Sequence, residues 1–324
     1  MENPFPLPVN QSRIPICWVA KDVAGLQIIM VNVYFISETK EGQTTWFLVD
    51  AGLGQCAQRI KKAADFLFGP DTKPAGILLT HGHFDHIGGL AKLAREWDVP
   101  VYAHALEMPY LTGRSDYPPP DPTVGGGAMA ALAGLYPKKP IDISDRLMPF
   151  PSNDSIPGLE GWKVIHTPGH TPGHVSFFRE SDKTLIAGDA FVTVKQESFT
   201  AVLKQTKEVH GPPTYFTSNW LAAEHSVGKL ALLQPEVAAC GHGKPMVGKE
   251  LQEQLAYLSK HFSEVAVPKH GRYVNHPAQA NESGVTQVPP APAPSIAMQL
   301  GAGGLAALAG FVLTVWSMKI FNNR

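Results

Sequence analysis

The chain has 324 residues, room for one large α/β domain or two smaller ones. Hydrophobic residues make up 44% and charged residues 17%, which excludes wholesale disorder. A formal net charge of -1 excludes a general nucleic-acid binder, which needs a basic footprint, and Cys17, Cys56 and Cys240 are too few and scattered for a disulfide framework.

The N-terminus, MENPFPLPVNQ, has no basic region and no apolar run, so no secretory signal is expected there. VNVYFIS (31–37) and TTWFLVD (44–50) alternate like half-buried strands around the turn KEGQ. GILLTH (76–81) reads as a buried strand, and Ile87–Trp97 as a helix with Leu90, Leu93, Ala94 and Trp97 on one face. Strands follow at VYAH (101–104), KVIHT (163–167), HVSFFR (174–179), TLIAGD (184–189) and EVAACGH (236–242). Helices are expected over Trp220–Leu233, with Ser218 or Asn219 as N-cap, and over Lys249–Val265, with Leu251, Leu255, Leu258 and Phe262 on one face. This mixture predicts an α/β domain over residues 1–270. Residues 271–295, rich in Pro and Ala, read as an extended linker. Residues 296–318 are 23 residues without a charge, followed by a short basic tail over 319–324. As a helix that run is about 34 Å long, so the expectation is a C-terminal transmembrane helix that anchors a cytoplasmic domain to the membrane.

The chemistry concentrates in four places. Thr80-His81-Gly82-His83-Phe84-Asp85-His86 follows directly on the strand GILLT. Its donors do not share one helical face, so they suit a loop leaving a strand, from which they can point to two neighbouring metals. Thr167-Pro168-Gly169-His170-Thr171-Pro172-Gly173-His174 is a turn-rich loop between two strands. Asp189 ends the strand TLIAGD, and His242 ends EVAACGH between Gly241 and Gly243. Each strand thus delivers an imidazole or carboxylate at its C-terminal end, the edge where open α/β sheets bind ligands.

HxHxDH, TPGHTPGH, GD and GHG, in that order over about residues 25–265, resemble the metallo-β-lactamase-fold hydrolases. The resemblance implies an αββα sandwich of two mixed sheets flanked by helices, with metals at one edge. It implies that His81, His83 and His170 hold a first metal, that Asp85, His86 and His242 hold a second, and that Asp189 bridges both. Asp85 and Asp189 are then the carboxylates of the reaction centre. Two Zn ions suit these donors, with Fe or Mn as alternatives, and a pair of metals can generate a bridging hydroxide as nucleophile.

Departures from the family's branches narrow the reaction. Zinc β-lactamases typically place a Cys where this chain has Asp189, and flavo-diiron relatives a Glu where it has His83. Glyoxalase II is similar in its ligands but adds a C-terminal helical region for glutathione, for which residues 243–270 are too few; N-acyl homoserine lactonases are compatible. The expected activity is hydrolysis of a thioester, ester or lactone, on a small-molecule acyl substrate and not on nucleic acid. Phosphodiester hydrolysis is the alternative, and a non-catalytic metal-binding module the third reading. His174 reads as structural or as orienting a ligand, and His104 and His166 as structural. The inserts 107–160 and 191–220, the second with Tyr215, Phe216 and Trp220, read as substrate-binding loops or surface excursions.

Overall fold

The computed structural model describes residues 15–292. Seven strands form the first sheet in chain order: β1 (Ile16–Ala20), β2 (Val23–Ile28), β3 (Val31–Lys40), β4 (Gln43–Val49), β5 (Gly76–Leu78), β6 (Val101–Ala103) and β7 (Leu147–Pro149). β1 to β4 are antiparallel neighbours, whereas β4 to β7 pair in parallel. The second sheet contains β8 (Ser155–Ile156), β9 (Leu159–His166), β10 (Val175–Arg179), β11 (Thr184–Gly188), β12 (Val237–Cys240) and β13 (Met246–Val247) in the order β13-β12-β11-β10-β9-β8, with β11 and β12 parallel.

Period-two alternation sorts the strand residues into layers. Tyr34, Ile36, Phe47, Val49, Phe177, Ile186 and Ala239 meet between the sheets. Val33, Phe35 and Leu48 face outward from the first sheet, against α1 (Ala57–Phe68) and α3 (Leu90–Trp97) through Ile60, Ala64, Leu90, Leu93 and Trp97. Phe178, Leu185, Ala187, Ala238 and Cys240 face the other way, against α7 (Trp220–Leu232) and α8 (Gly248–Lys260). The result is the expected sandwich of two mixed sheets between two helical layers.

The predicted helix 87–97 is divided. α2 (Phe84–Ile87) ends at Gly88, and α3 begins after Gly89. The break lets the chain pass against the backbone that follows β4: a Cβ on Gly88 would lie 2.1 Å from Gly54 N, and one on Gly89 2.8 Å from Ala51 O. Between α3 and α7 lie three short helices, α4 (Met108–Leu111), α5 (Ala128–Ala131) and α6 (Phe199–Lys204). α7 is capped by Asn219, whose Oδ1 accepts from Ala222 N at 3.0 Å. The helix expected over 249–265 is α8 followed by α9 (Phe262–Val265), separated at His261, where φ is -115°.

Two expectations about the C-terminal part are corrected. The described part of the expected linker 271–295, residues 271–292, is not a bare extended segment, since β14 (Gln279–Asn281) and β15 (Gly284–Gln287) form an antiparallel hairpin. It is tied down by Ala278 N donating to Ser218 O at 3.0 Å and Val285 N donating to Ser115 Oγ at 3.1 Å. Ala278 and Val288 pack on the second helical layer. The transmembrane helix and the membrane location drawn from it are likewise withdrawn. Among the described residues no helix is long and apolar enough to cross a membrane. α7 and α8, at 13 residues each, span about 20 Å against the roughly 30 Å of a bilayer core. The run 296–318 on which that expectation stood lies outside the described residues.

Gly88→Ala should be strongly destabilising, because the new methyl meets backbone that cannot rotate away. A loss of at least about 2 kcal/mol in denaturant unfolding is expected. An unchanged midpoint would mean that the contact between α2 and residues 53–54 relaxes freely.

Candidate metal centre

The C-terminal ends of β4, β5, β9, β11 and β12 converge on one edge of the sandwich. β5 leads into the loop with His81 and His83 and then α2 with Asp85 and His86. The turn between β9 and β10 carries His170, β11 ends before Asp189, and β12 before Gly241 and His242. All seven residues are buried, none above 8% exposure. The structure brings them together as three overlapping groups: His81, His83 and His170; His81, His86 and Asp189; Asp85, His86 and His242. Within each, one donor atom per residue lies within 4.8 Å of the others.

The ring nitrogens already stand in ligand positions. His83 Nδ1 lies 3.0 Å from both His81 Nε2 and His170 Nε2. Metal–nitrogen bonds of 2.0–2.1 Å in a tetrahedral site place their nitrogens about 3.3 Å apart. Asp189 Oδ2 lies 3.2 Å from His242 Nε2, 3.5 Å from His170 Nε2 and 3.6 Å from His86 Nε2, so it faces both halves. Asp85 Oδ2 is 3.5 Å from His242 Nε2. Buried polar atoms ordinarily find hydrogen-bond partners, yet His86 Nε2 and Asp189 Oδ1 have none. Imidazole and carboxylate donors at these separations, with buried atoms left unpaired, fit a pair of divalent cations.

The remaining ring nitrogens set the tautomers. His86 Nδ1 donates to Asp50 Oδ2 at 2.8 Å, and His242 Nδ1 to Met30 O at 2.8 Å. Thr80 Oγ1 donates to Asp50 Oδ2 at 2.7 Å and so accepts from His81 Nδ1 at 3.0 Å. Thr217 Oγ1 donates to Pro213 O at 2.8 Å and accepts from His170 Nδ1 at 3.4 Å. Each of these four histidines therefore turns its Nε2 toward the centre.

Electrostatically the site has two halves. Burial, and then the neighbouring imidazoles, hold His81 and His83 well below the ordinary histidine range. Burial pushes His170 down to about 3 despite the attraction of Asp189. Burial opposes charge on His86 as well, but Asp189, Asp50 and Asp85 outweigh it and hold its pKa well above the usual value. On His242 burial is outweighed by Asp189. Burial would raise Asp189, and His242 and His86 instead hold it well below the carboxylate range. Burial thus dominates in one half, and the attraction between a carboxylate and its histidines in the other.

His174 is not among the grouped donors. Its Nε2 accepts from Asp189 N at 2.8 Å and its Nδ1 donates to Thr167 Oγ1 at 2.8 Å. Of its two readings, the geometry favours the one in which it orients another residue. His104 and His166 stack at 4.1 Å away from the donor groups.

Three supporting residues, Asp50, Glu107 and Asn32, escaped the sequence reading. Asp50 ends the strand TTWFLVD, where a lone Asp gives no signal beyond a turn. Besides His86 and Thr80 Oγ1, it accepts from Thr80 N at 2.8 Å. Glu107 is fully buried in the first insert. It accepts from Gly82 N at 3.0 Å, Thr171 Oγ1 at 2.7 Å, Gly173 N at 2.9 Å and the Tyr117 hydroxyl, which joins the two histidine loops. Asn32 Nδ2 donates to Cys240 O at 2.9 Å and Gly243 O at 2.7 Å, and so fastens the loop of His242 to β3. Gly241 leaves room for the acid beside it, because a Cβ there would lie 2.0 Å from Asp189 Oδ1.

Comparison with known proteins agrees with this architecture. Residues 27–242 match the profile of the metallo-beta-lactamase superfamily. A probable metallo-hydrolase of Bacillus subtilis (strain 168), YflN, is 46% identical over 246 residues, covering 76% of this chain and 93% of that protein. A second from the same organism, YybB, is 29% identical over 222 residues, covering 68% and 84%. Among solved structures, a beta-lactamase domain protein from Burkholderia ambifaria shares the fold, with a TM-score of 0.53 at 20% identity over 79% of this chain and 76% of that one.

Asp50→Ala should weaken metal binding without unfolding the protein, since it removes the acceptor that fixes His86. Loss of such an outer partner typically costs 10–100-fold in metal affinity. Competition against a chromophoric chelator measures it. Affinity within twofold of the parent would show that His86 keeps its orientation without Asp50.

Proposed function

The chain belongs to the metallo-beta-lactamase superfamily, and we propose that it is a binuclear zinc hydrolase of thioester, ester or lactone bonds in small acyl substrates. The observation that carries this reading is Asp189 Oδ2, which lies 3.2–3.6 Å from nitrogens of His242, His170 and His86. In this reading His81, His83 and His170 would hold one ion and Asp85, His86 and His242 the other, with Asp189 contributing to both. Two such ions supply a nucleophilic hydroxide near neutral pH and positive charge for a developing oxyanion.

The chain's own residues hold the frame for that chemistry. Asp50 and Thr80 keep His86 and His81 in the tautomers that face inward, and His174 fixes the backbone from which Asp189 projects. Glu107 locks the His81–His83 loop to the His170 loop, so their nitrogens keep their spacing. Among the described residues, Asp50, Asp85 and Asp189 form ion pairs only with histidines. The paired cations of a phosphodiester-binding groove are therefore not built into the centre, which favours a neutral carbonyl substrate.

Protein prepared without chelator should contain close to two equivalents of zinc by elemental analysis. Asp189→Ala should lose both ions together with activity, because a bridging acid neutralises charge on each. Full activity at a reproducible value below one equivalent would overturn the binuclear reading.

The metal-loaded enzyme should turn over a simple thioester or lactone with kcat/KM at least tenfold above that for a bis-aryl phosphodiester. The reverse preference at matched metal loading would assign the site to phosphoryl chemistry.

A further inference from the structure

Apolar side chains from separate parts of the chain gather beside the donors of the centre. The Phe216 ring lies over His83, with centroids 4.4 Å apart and planes inclined by 31°. It is 6.1 Å from Phe84, the residue between His83 and Asp85, and 5.8 Å from Tyr136; Phe84 and Tyr136 are themselves 5.8 Å apart. Tyr136 uses its hydroxyl to donate to Met129 O at 3.0 Å, so it offers its ring rather than a polar end. On the far side Met30, whose carbonyl holds His242, packs into the same cluster as Tyr136 and Phe216. Phe84, Tyr136, Phe216 and Met30 are each half-buried, whereas Met129, Ala130, Ala133 and Tyr215 beneath them are fully buried and give the wall a solid backing.

Among the described residues no cation stacks on the rings of the wall; the cation–π contacts are Arg179 with Trp162 and Arg272 with Tyr273, both elsewhere. Half-exposed rings beside a polar donor cluster resemble a ligand pocket, apolar in its lining with polar groups at one end. The polar end here is the metal centre, so what lies against the rings is whatever is bonded to the reacting carbonyl.

We propose that Phe84, Tyr136, Phe216 and Met30 form an acyl-binding wall, and that the substrate's acyl group is an apolar aliphatic chain or aromatic ring rather than a polar or charged one. This rests on the hydrolase reading above and names the substrate class of that same site. An acyl chain laid on the wall is removed from water methylene by methylene, while its carbonyl reaches the ion pair.

Two measurements on the full-length, metal-loaded protein test it. With acetyl, butyryl and hexanoyl thioesters of one leaving thiol, kcat/KM should rise about fourfold per added methylene, as burial of apolar surface requires. Phe216→Ala and Tyr136→Ala, checked for unchanged metal content, should each lower the hexanoyl-to-acetyl ratio at least fivefold. Equal rates for acetyl and hexanoyl substrates, or a ratio unmoved in both variants, would overturn the wall. Calorimetric titration with hexanoate and acetate answers the same question without turnover. Hexanoate should bind at least tenfold more tightly, with a more negative heat-capacity change; equal affinities would overturn the proposal. A retained preference for hexanoate with no turnover of any acyl substrate would support the wall and overturn the reaction class instead.

Discussion

His83 Nδ1 stands 3.0 Å from both His81 Nε2 and His170 Nε2 in a buried site. His81 and His170 donate their other ring hydrogens to threonine hydroxyls, so both turn Nε2 toward His83. Much of the fold is arranged to hold these donors in that grouping. The strands that end at this edge are anchored by two helical layers, and Glu107, Asn32 and Asp50 tie the loops that leave them. Stability stored in those layers holds the donors apart from the partners they would otherwise find.

The two halves of the centre are prepared differently. In the His81, His83 and His170 half, burial is the largest cause that holds the histidines down. In the other half, Asp189 stays ionised by virtue of His86 and His242 beside it, and those histidines take up charge from it in turn.

The legible part of this site was the part written as dense motif. His81, His83, Asp85 and His86 fall within six residues, His170 sits in a turn-rich loop between two strands, and Asp189 and His242 each follow the end of an apolar strand, so residue type and local pattern agree. The sandwich was legible for the same reason: alternation in 31–37 and 44–50, and buried runs elsewhere, mark strands in the order in which they occur. Asp50 and Glu107 were not, because a single acid at a strand end or in a Pro-rich insert looks like an ordinary turn residue until the tertiary fold brings Thr80, Gly82 and Gly173 to it. His174 was ambiguous from sequence because its two partners, Asp189 N and Thr167 Oγ1, are a backbone group and a short hydroxyl that periodicity does not reveal. The hairpin of β14 and β15 was hidden by composition: a few ordinary residues between Pro-rich flanks form strands only because Ser115 and Ser218 offer bonds to them.

The division between what was legible and what was not has a physical basis that bears on how the enzyme chooses its substrate. Metal chemistry demands particular donors at particular spacings, so it leaves a pattern in the chain. A wall of rings demands only apolar bulk from segments far apart in sequence, here near residues 30, 84, 136 and 216. Its geometry depends on the first insert, and that insert is fixed from outside the motifs. Ser115 Oγ accepts from Val285 N, Pro119 O accepts from the Tyr273 hydroxyl at 2.6 Å, and Asp121 accepts from Arg272 N. The segment after α9 thus acts as a strap across the insert that carries Tyr136 and Met129. Because Tyr117, between Ser115 and Pro119, also bonds Gly82 N and Glu107, the strap bears on the histidine loops as well as on the apolar side of the site.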